Sequence, residues 1–179
     1  PMIEINGTNT GADGLVLDDG SDGSMIRGLV INNFPDGGIY VYRSDNHIIA
    51  ENYLGTDPTG SLDRGNGDGL ALEDSSNITI QNNLISANTD GGIWLYEPGG
   101  TVDGITIQGN LIGTDATGTA ALGNKLDGVY FQSAPSNTLI GGTGPNQGNT
   151  IAFNDGYGVN IDSGTGHTLL QNAIFANDG

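Results

Sequence analysis

With 179 residues the chain has the length of one domain, and we treat residues 1–179 as a single unit. Its 21 acidic and 4 basic side chains give a formal net charge of −17, which disfavours nucleic acids and anionic membranes as partners through charge repulsion. Cysteine is absent, which excludes disulfides and thiol chemistry, and the sequence has no run of about 18 apolar residues that would insert into a membrane.

Short strands are predicted after glycines that recur along the chain. Alternating apolar residues follow Gly14, Gly38, Gly69, Gly92, Gly128 and Gly158. Alternation with a period of two is the pattern of a β-strand with one buried face. The residues predicted to point inward are Leu15, Leu17, Ile39, Val41, Leu70, Leu72, Ile93, Leu95, Val129, Phe131, Val159 and Ile161.

A second element lies between these strands and has the form apolar-x-x-Asn-x-apolar. It contains Asn52, Asn83, Asn110 and Asn172, and Asn149 is predicted to rejoin the series after an insertion. We expect these asparagines to lie at one corner, where stacked side-chain amides hydrogen-bond along the axis. The spacing gives a base unit of 23 residues, seen without insertions from Gly69 to Gly92, and residues 2–5 are predicted to end an incomplete unit.

Insertions interrupt the repeat at the corners of the units. Two of them, at 55–66 and 113–124, have related sequences, GTDPTGSLDRGN and GTDATGTAALGN. Asp57 and Asp115 are equivalent in these insertions. We predict either a calcium site, completed by nearby carbonyl groups, or a turn in which each aspartate bonds its own loop backbone. Calcium is the one cofactor that the sequence suggests.

The glycine-led strands, the repeated Asn segments and the IGTDxTGxxxxGN and IGGTGPNQGN insertions resemble right-handed parallel β-helix repeat proteins of the pectin-lyase-like superfamily. The resemblance covers nearly the whole chain. It implies an all-β fold, a single-stranded right-handed parallel β-helix of about six coils with corner insertions. Neither end carries an obvious cap, so we expect either a segment of a longer solenoid or copies that stack end to end.

The outward positions of the glycine-led strands form two columns, and five of the seven Tyr and Trp side chains lie in them. The first column is Val16, Tyr40, Ala71, Trp94, Tyr130 and Asn160, and the second is Asp18, Tyr42, Glu73, Tyr96, Gln132 and Asp162. The insertions at 55–66, 97–103 and 113–124 are expected to wall a groove around these columns. We predict a ligand-binding face formed by Tyr40, Tyr42, Glu73, Trp94, Tyr96, Tyr130 and Gln132.

An aromatic face of this kind suits a sugar, whose C–H face is apolar and whose hydroxyl groups reach carboxylates and amides. In the enzymes that the chain resembles, a polysaccharide lies along the corresponding face. Two other roles stay open for these aromatic residues. They stack on one another and fix the strand register, or they form an interface with another protein.

Catalysis is left uncertain, and no catalytic residue is assigned. The superfamily that the chain resembles includes lyases, hydrolases and epimerases as well as adhesins, and a shared fold does not decide among them. A lyase needs a basic residue, for which Arg64 and Lys125 are the candidates beside the aromatic face. A hydrolase needs two carboxylates, for which Glu73 with Glu97 or Asp68 is a candidate pair. The Asp-Pro-His signature of related alginate epimerases is missing.

The sequence therefore predicts an extracellular or cell-surface β-helix module. It binds a polysaccharide or a partner surface through its aromatic face, or it serves as an adhesin or structural stalk. A polysaccharide-active enzyme is the main alternative, and a subunit of an end-to-end filament is the second.

Overall fold

The structure, a computed structural model, describes residues 3–9 and 11–179, and that part of the chain forms short β-strands with no helix. The strands are β1 (Ile3–Asn6), β2 (Leu15–Leu17), β3 (Met25–Arg27), β4 (Leu29–Asn32), β5 (Ile39–Tyr42), β6 (Ile48–Ala50), β7 (Tyr53–Leu54), β8 (Leu70–Glu73), β9 (Thr79–Gln81), β10 (Leu84–Ile85), β11 (Ile93–Tyr96), β12 (Thr106–Gln108), β13 (Leu111–Ile112), β14 (Val129–Gln132), β15 (Leu139–Gly141), β16 (Thr150–Ala152), β17 (Val159–Ile161), β18 (Thr168–Leu170) and β19 (Ala173–Phe175). No helix there is long and apolar enough to cross a membrane.

Every third strand joins the same parallel sheet, so the chain winds as a solenoid of about six coils. The first sheet has the order β2-β5-β8-β11-β14-β17, the second β3-β6-β9-β12-β15-β18, and the third β1-β4-β7-β10-β13-β16-β19. The prediction of an all-β parallel solenoid is confirmed. The predicted strand at residues 2–5 is observed as β1, although Met2 lies outside the described residues.

The register of the first sheet follows the 23-residue repeat, since Leu70 pairs with Ile93 and Leu72 pairs with Leu95. The predicted inward residues of the central coils are fully buried between the three sheets: Ile39, Val41, Leu70, Leu72, Ile93, Leu95, Val129 and Phe131. Burial falls at the end coils, where Leu15 and Val159 are half-buried and Ile161 is exposed. The core is therefore a thin apolar column that needs few large side chains per coil.

The predicted asparagine ladder lies at the corner between the second and third sheets, and Asn149 is part of it. Each side-chain amide donates to the side-chain oxygen of the asparagine one coil on, with distances of 3.1 Å from Asn52 to Asn83, 3.0 Å from Asn83 to Asn110, 3.0 Å from Asn110 to Asn149 and 2.8 Å from Asn149 to Asn172. The same oxygens accept backbone N–H groups, as when Asn83 N–H donates to Asn110 Oδ1. These bonds satisfy backbone groups that the corner would otherwise bury unpaired.

A second asparagine ladder, which the sequence reading missed, lies at the corner between the third and first sheets. Its members are Asn66, Asn88, Asn124, Asn154 and Asn177, and they are joined by the same amide-to-oxygen bonds. Each of the first four lies three or four residues before a marker glycine, at Gly69, Gly92, Gly128 and Gly158. The two ladders fix the corners that flank the third sheet.

The related insertions at 55–66 and 113–124 fold back over the third sheet. Each closes through an antiparallel bridge, Thr56 with Asp63 in one and Thr114 with Ala121 in the other. Gly60 lies against Tyr53 and Leu84, so close that an added Cβ would come within 3.0 Å of both. Ala116 N–H donates to the Gly60 carbonyl at 2.9 Å, so the two insertions also stack on each other. They form an outer layer on the third sheet.

Candidate functional site

The first sheet brings the predicted outward columns into register along the solenoid axis. Tyr40 pairs with Ala71, Ala71 with Trp94, and Trp94 with Tyr130. The second column follows in the same way, with Glu73 between Tyr42 and Tyr96, and Gln132 after Tyr96. Adjacent strands of a parallel sheet lie about 4.8 Å apart, so the three aromatic residues of the first column span four coils.

The aromatic side chains stack in pairs along each strand rather than forming one continuous layer. The Trp94 and Tyr96 rings are 5.0 Å apart and 19° from parallel. The Tyr40 and Tyr42 rings are 6.1 Å apart and 26° from parallel. The Arg43 guanidinium lies 4.8 Å from the centre of the Tyr42 ring. All four of these rings are half-buried, so part of each ring surface remains open to solvent.

Polar side chains of the same face hold the aromatic residues in place. Tyr40 donates its hydroxyl to Glu73, and Trp94 donates its indole N–H to Gln132 Oε1 at 3.0 Å. Burial and the bond to Glu73 raise the pKa of the Tyr40 hydroxyl well above its ordinary value. The two polar residues predicted to bind a ligand, Glu73 and Gln132, thus also orient Tyr40 and Trp94.

Two clefts open on this face, one on each side of Trp94. The Tyr130 cleft, of about 330 Å³, lies between Trp94 and Tyr130 and is also lined by Gln132. The Tyr40 cleft, of about 280 Å³, lies between Tyr40 and Trp94 and is also lined by Glu73. Ala71 forms the floor of the Tyr40 cleft, since its small side chain leaves the space between the two larger rings unfilled.

The walls of both clefts come from the turns that precede the strands, and not from the insertions. The lining includes 125–127 and 155–156 in the Tyr130 cleft, 35–37 in the Tyr40 cleft, and Asp68 and Asp90 in both. No residue of the insertions at 55–66, 97–103 or 113–124 lines either cleft. The expectation that insertions wall the groove is wrong, because the two longer insertions fold onto the third sheet.

The insertion at 97–103 also turns away from the clefts, because it covers the end of the first sheet. Gly100 N–H donates to Asp74 Oδ1 at 2.8 Å, and Val102 N–H donates to Glu97. The Asp74 carboxylate is only 2% exposed and lies 3.7 Å from the Arg43 Nε. Glu97, a candidate carboxylate for hydrolysis, and Arg43 therefore hold this loop and line neither cleft.

Of the predicted ligand-binding residues, five line the clefts and two do not. Tyr40, Glu73, Trp94, Tyr130 and Gln132 line at least one cleft. Tyr42 and Tyr96 line neither cleft. Asp68, a candidate carboxylate for hydrolysis, lines both clefts. Asp90, Asp127 and Ala71 also line the clefts, and the sequence analysis does not predict them as site residues.

Asp68 has the most perturbed carboxyl group of the clefts. Burial raises its pKa to about 6; the hydrogen bond from Gly91 N–H acts in the opposite direction, and repulsion from Asp90 and Asp13 adds smaller increases. That bond has a length of 2.8 Å and uses Asp68 Oδ1. A carboxylate held in a cleft with a raised pKa marks a candidate functional position.

Basic side chains are scarce on this face. Lys125 lines the Tyr130 cleft, but its ammonium group lies 3.3 Å from the Asp155 carboxylate. Arg64 lines neither cleft, and its guanidinium bonds the carbonyl of Asp63. Of the two basic residues expected beside the aromatic face, only Lys125 reaches it.

Asp57 and Asp115 make the same bonds in their two insertions. Asp115 Oδ1 accepts the Thr117 hydroxyl at 2.7 Å and the N–H groups of Thr119 and Ala120. The Thr117 hydroxyl and these N–H groups hold the pKa of Asp115 below its ordinary value. Within residues 3–9 and 11–179, no group of three or more His, Cys, Asp and Glu side chains is placed to hold a metal ion. Calcium at Asp57 and Asp115 remains a proposal beside their turn-forming role.

Replacing Asp115 with alanine separates the two roles. We expect the Asp115→Ala protein to melt at a lower temperature than wild type, because the substitution removes the bonds that shape the loop. If Asp115 only forms a turn, this decrease in melting temperature should be the same in EDTA as in calcium. The measurement is thermal unfolding of both proteins with EDTA and with calcium. A larger loss in calcium than in EDTA would establish a metal site instead.

Comparison with known proteins supports the fold. A protein-family model described as "Right handed beta helix region" matches residues 3–179. Two solved structures, both mutants of the periplasmic alginate epimerase AlgG, match with TM-scores of 0.71 and 0.68 at 20% and 19% sequence identity. The matches cover 93% and 94% of this chain but only 38% of each epimerase chain, so the chain spans well under half of that protein's length. No curated protein sequence matches the chain.

Proposed function

Since the chain belongs to the right-handed β-helix family, we propose that it binds a polysaccharide along the outward face of its first sheet, with Trp94 at the centre. The position of Trp94 between two clefts carries this proposal. A long ligand parallel to the solenoid axis occupies both clefts and crosses the indole ring. Aromatic rings stack on the apolar face of ring-shaped ligands, and neighbouring carboxylates and amides accept or donate hydrogen bonds to hydroxyl groups.

The comparisons support a role with polysaccharides in general terms. The similar solved structures are of an epimerase named for alginate, which is described as periplasmic. By that analogy we propose that this chain also works outside the cytoplasm, in an extracellular or cell-surface setting. Binding of a partner protein, a stalk role and self-association at the ends of the solenoid remain predictions from the sequence.

Replacing Trp94 with alanine tests the proposal. We expect the free energy of glycan binding to weaken by about 1–3 kcal/mol, by analogy with the loss when an aromatic side chain that stacks on a nucleic-acid base is replaced by alanine. The fold should survive, because Trp94 points outward from the core and is half-buried. The measurement is a glycan array with wild type and Trp94→Ala, followed by calorimetry on each glycan that binds.

Tyr96→Ala is the matched control, since Tyr96 lies on the same strand and stacks on Trp94 but lines neither cleft. We expect it to weaken binding less than Trp94→Ala does. If wild type binds no glycan, and Trp94→Ala unfolds or changes the state of association, the aromatic face is structural or an interface and the polysaccharide proposal is wrong.

A polysaccharide-active enzyme is the second candidate, and the raised pKa of Asp68 is the observation in its favour. A carboxyl group with a pKa of about 6 suits a general acid or base that works near neutral pH. The test is product release from each glycan that binds, measured with wild type and Asp68→Asn. Turnover by wild type that is absent from Asp68→Asn would favour the enzyme.

A further inference from the structure

Nearly all the charged side chains that line the two clefts beside Trp94 are acidic. Four carboxylates and one lysine line the Tyr130 cleft. Five carboxylates line the Tyr40 cleft, with no basic side chain among the described residues there. The single lysine, Lys125, is already paired with Asp155. A ligand that enters these clefts therefore meets aromatic rings together with uncompensated negative charge.

Several of these carboxylates are occupied by bonds within the fold. Asp13 Oδ1 accepts Gly37 N–H at 2.7 Å. Asp127 accepts Tyr157 N–H at 2.6 Å with one oxygen and the Asn160 amide at 2.8 Å with the other. These groups connect successive coils, so their presence is explained by structure.

Asp68 and Asp90 are different, because they line both clefts and lie in the turns that precede two neighbouring strands, β8 and β11. Asp68 bonds Gly91 N–H through one oxygen only, and the exposed Asp90 carboxylate has no hydrogen-bonding partner among the described residues. Neither carboxylate forms an ion pair among the described residues. Burial is the main cause of the raised pKa of Asp68, and repulsion from Asp90 adds to it.

We propose that the clefts bind a polysaccharide whose sugar units carry protonated amino groups, and that Asp68 and Asp90 receive those groups beside the Trp94 ring. This inference rests on the proposed function and adds the substrate class to it. A polyuronate such as alginate is disfavoured as the ligand. The fold is shared with a protein named for alginate, but the charge of these clefts selects the opposite kind of chain.

The chemistry of an ammonium group matches both parts of the site. An ammonium is attracted to the face of an indole ring by its quadrupole, and it makes charge-assisted hydrogen bonds to carboxylates. Its charge also removes the repulsion between Asp68 and Asp90. A uronate carboxylate brings a further negative charge to the same place, and like charges in partly desolvated sites repel strongly.

The experiment compares three oligosaccharides of equal length by calorimetry near pH 6, the pKa of Asp68 in the free protein. They are a glucosamine oligomer, its fully N-acetylated counterpart and an oligouronate. We expect the glucosamine oligomer to bind at least about tenfold more tightly than the acetylated one, the gain of a charge-assisted hydrogen bond. Binding should weaken as salt is added. The oligouronate should not bind.

Variants locate the effect. Asp68→Asn and Asp90→Asn should each weaken glucosamine binding about tenfold and should weaken acetylated-oligomer binding much less. Asp19→Asn is the control, because it changes the net charge equally at an exposed position that lines neither cleft. Poly-L-lysine serves as a second probe, and Trp94→Ala should affect the glucosamine oligomer far more than it affects polylysine.

The outcomes separate this inference from the proposed function. Equal binding of the neutral oligomer, or preference for the oligouronate, overturns the amino-sugar assignment and leaves polysaccharide binding intact. If Asp19→Asn loses as much glucosamine binding as the cleft variants do, the effect is one of general charge and the amino-sugar assignment is overturned. If polylysine binding depends on Trp94 as strongly as sugar binding does, the clefts fit a basic protein partner and the amino-sugar assignment is again overturned. If none of the three oligosaccharides binds, the proposed function itself is wrong for these sugars.

Discussion

Replacing Asn110 with leucine is expected to lower the free energy of unfolding by about 3 kcal/mol or more, since it leaves several buried polar groups without partners. The Asn110 amide donates to the Ile80 carbonyl and to Asn149 Oδ1, at 2.9 and 3.0 Å. Its Oδ1 accepts the backbone N–H and the side-chain amide of Asn83, at 2.9 and 3.0 Å. Asn110 is fully buried, so water cannot replace these bonds.

Asn172→Leu is the matched control at the end of the same ladder. Asn172 accepts two bonds from Asn149 and donates one to the Ile140 carbonyl, and it is only half-buried. We expect a smaller loss there, because water reaches part of the site. Urea denaturation of both variants gives the two losses. If Asn110→Leu costs no more than Asn172→Leu, the buried ladder does not stabilise the solenoid as the hydrogen bonds indicate.

Replacing Asp68 with asparagine is expected to stabilise the protein above pH 6. The pKa of Asp68 rises from 3.8 to about 6 in the fold, so the folded state binds its proton more tightly than the unfolded state does. The free energy of unfolding of wild type therefore falls as the pH rises from 3.8 to about 6, and the deficit persists at higher pH. Asparagine keeps the acceptor for Gly91 N–H without the charge.

The gain should be about 1–2 kcal/mol at neutral pH, which allows for solvent screening of a group that is not fully buried. It should vanish at acidic pH, where Asp68 is protonated in both states. Unfolding of wild type, Asp68→Asn and Asp19→Asn across this pH range is the measurement. An equal gain in Asp19→Asn would assign the effect to lower net charge. If Asp68→Asn is more stable than wild type and binds glucosamine oligomers less tightly, the Asp68 carboxylate lowers stability and is retained for binding.

The sequence is sufficient to predict the coils of the solenoid, because the marker glycines and the Asn segments are local and regularly spaced features. The Asn-x-apolar half of the segment has one spacing throughout, so Asn149, two residues before Ile151, is predictable as a ladder member despite the insertion before it. The second ladder is harder to predict because its asparagines lie either three or four residues before the marker glycine, as Asn66 and Asn88 show. A variable offset hides a regular position in space.

The clefts were harder to predict because they depend on contacts between coils of different lengths. Ala71 is unremarkable in sequence, yet it opens the Tyr40 cleft by lying between two large aromatic residues. The direction of the insertions depends on Gly60 packing against Tyr53 and Leu84, which no local pattern reveals. The charge of the site likewise follows from turns that only the stacked coils bring together, as with Asp68 and Asp90.

The most direct test of polysaccharide binding at this face is the fluorescence of Trp94, which is the only tryptophan in the chain. Titration with the oligosaccharide that binds most tightly should change its emission in a saturable way. The midpoint of that change should agree with the dissociation constant from calorimetry, because the sugar covers the ring that emits. Calorimetry that shows a bound oligosaccharide while the Trp94 emission stays unchanged to saturation would contradict binding across the two clefts.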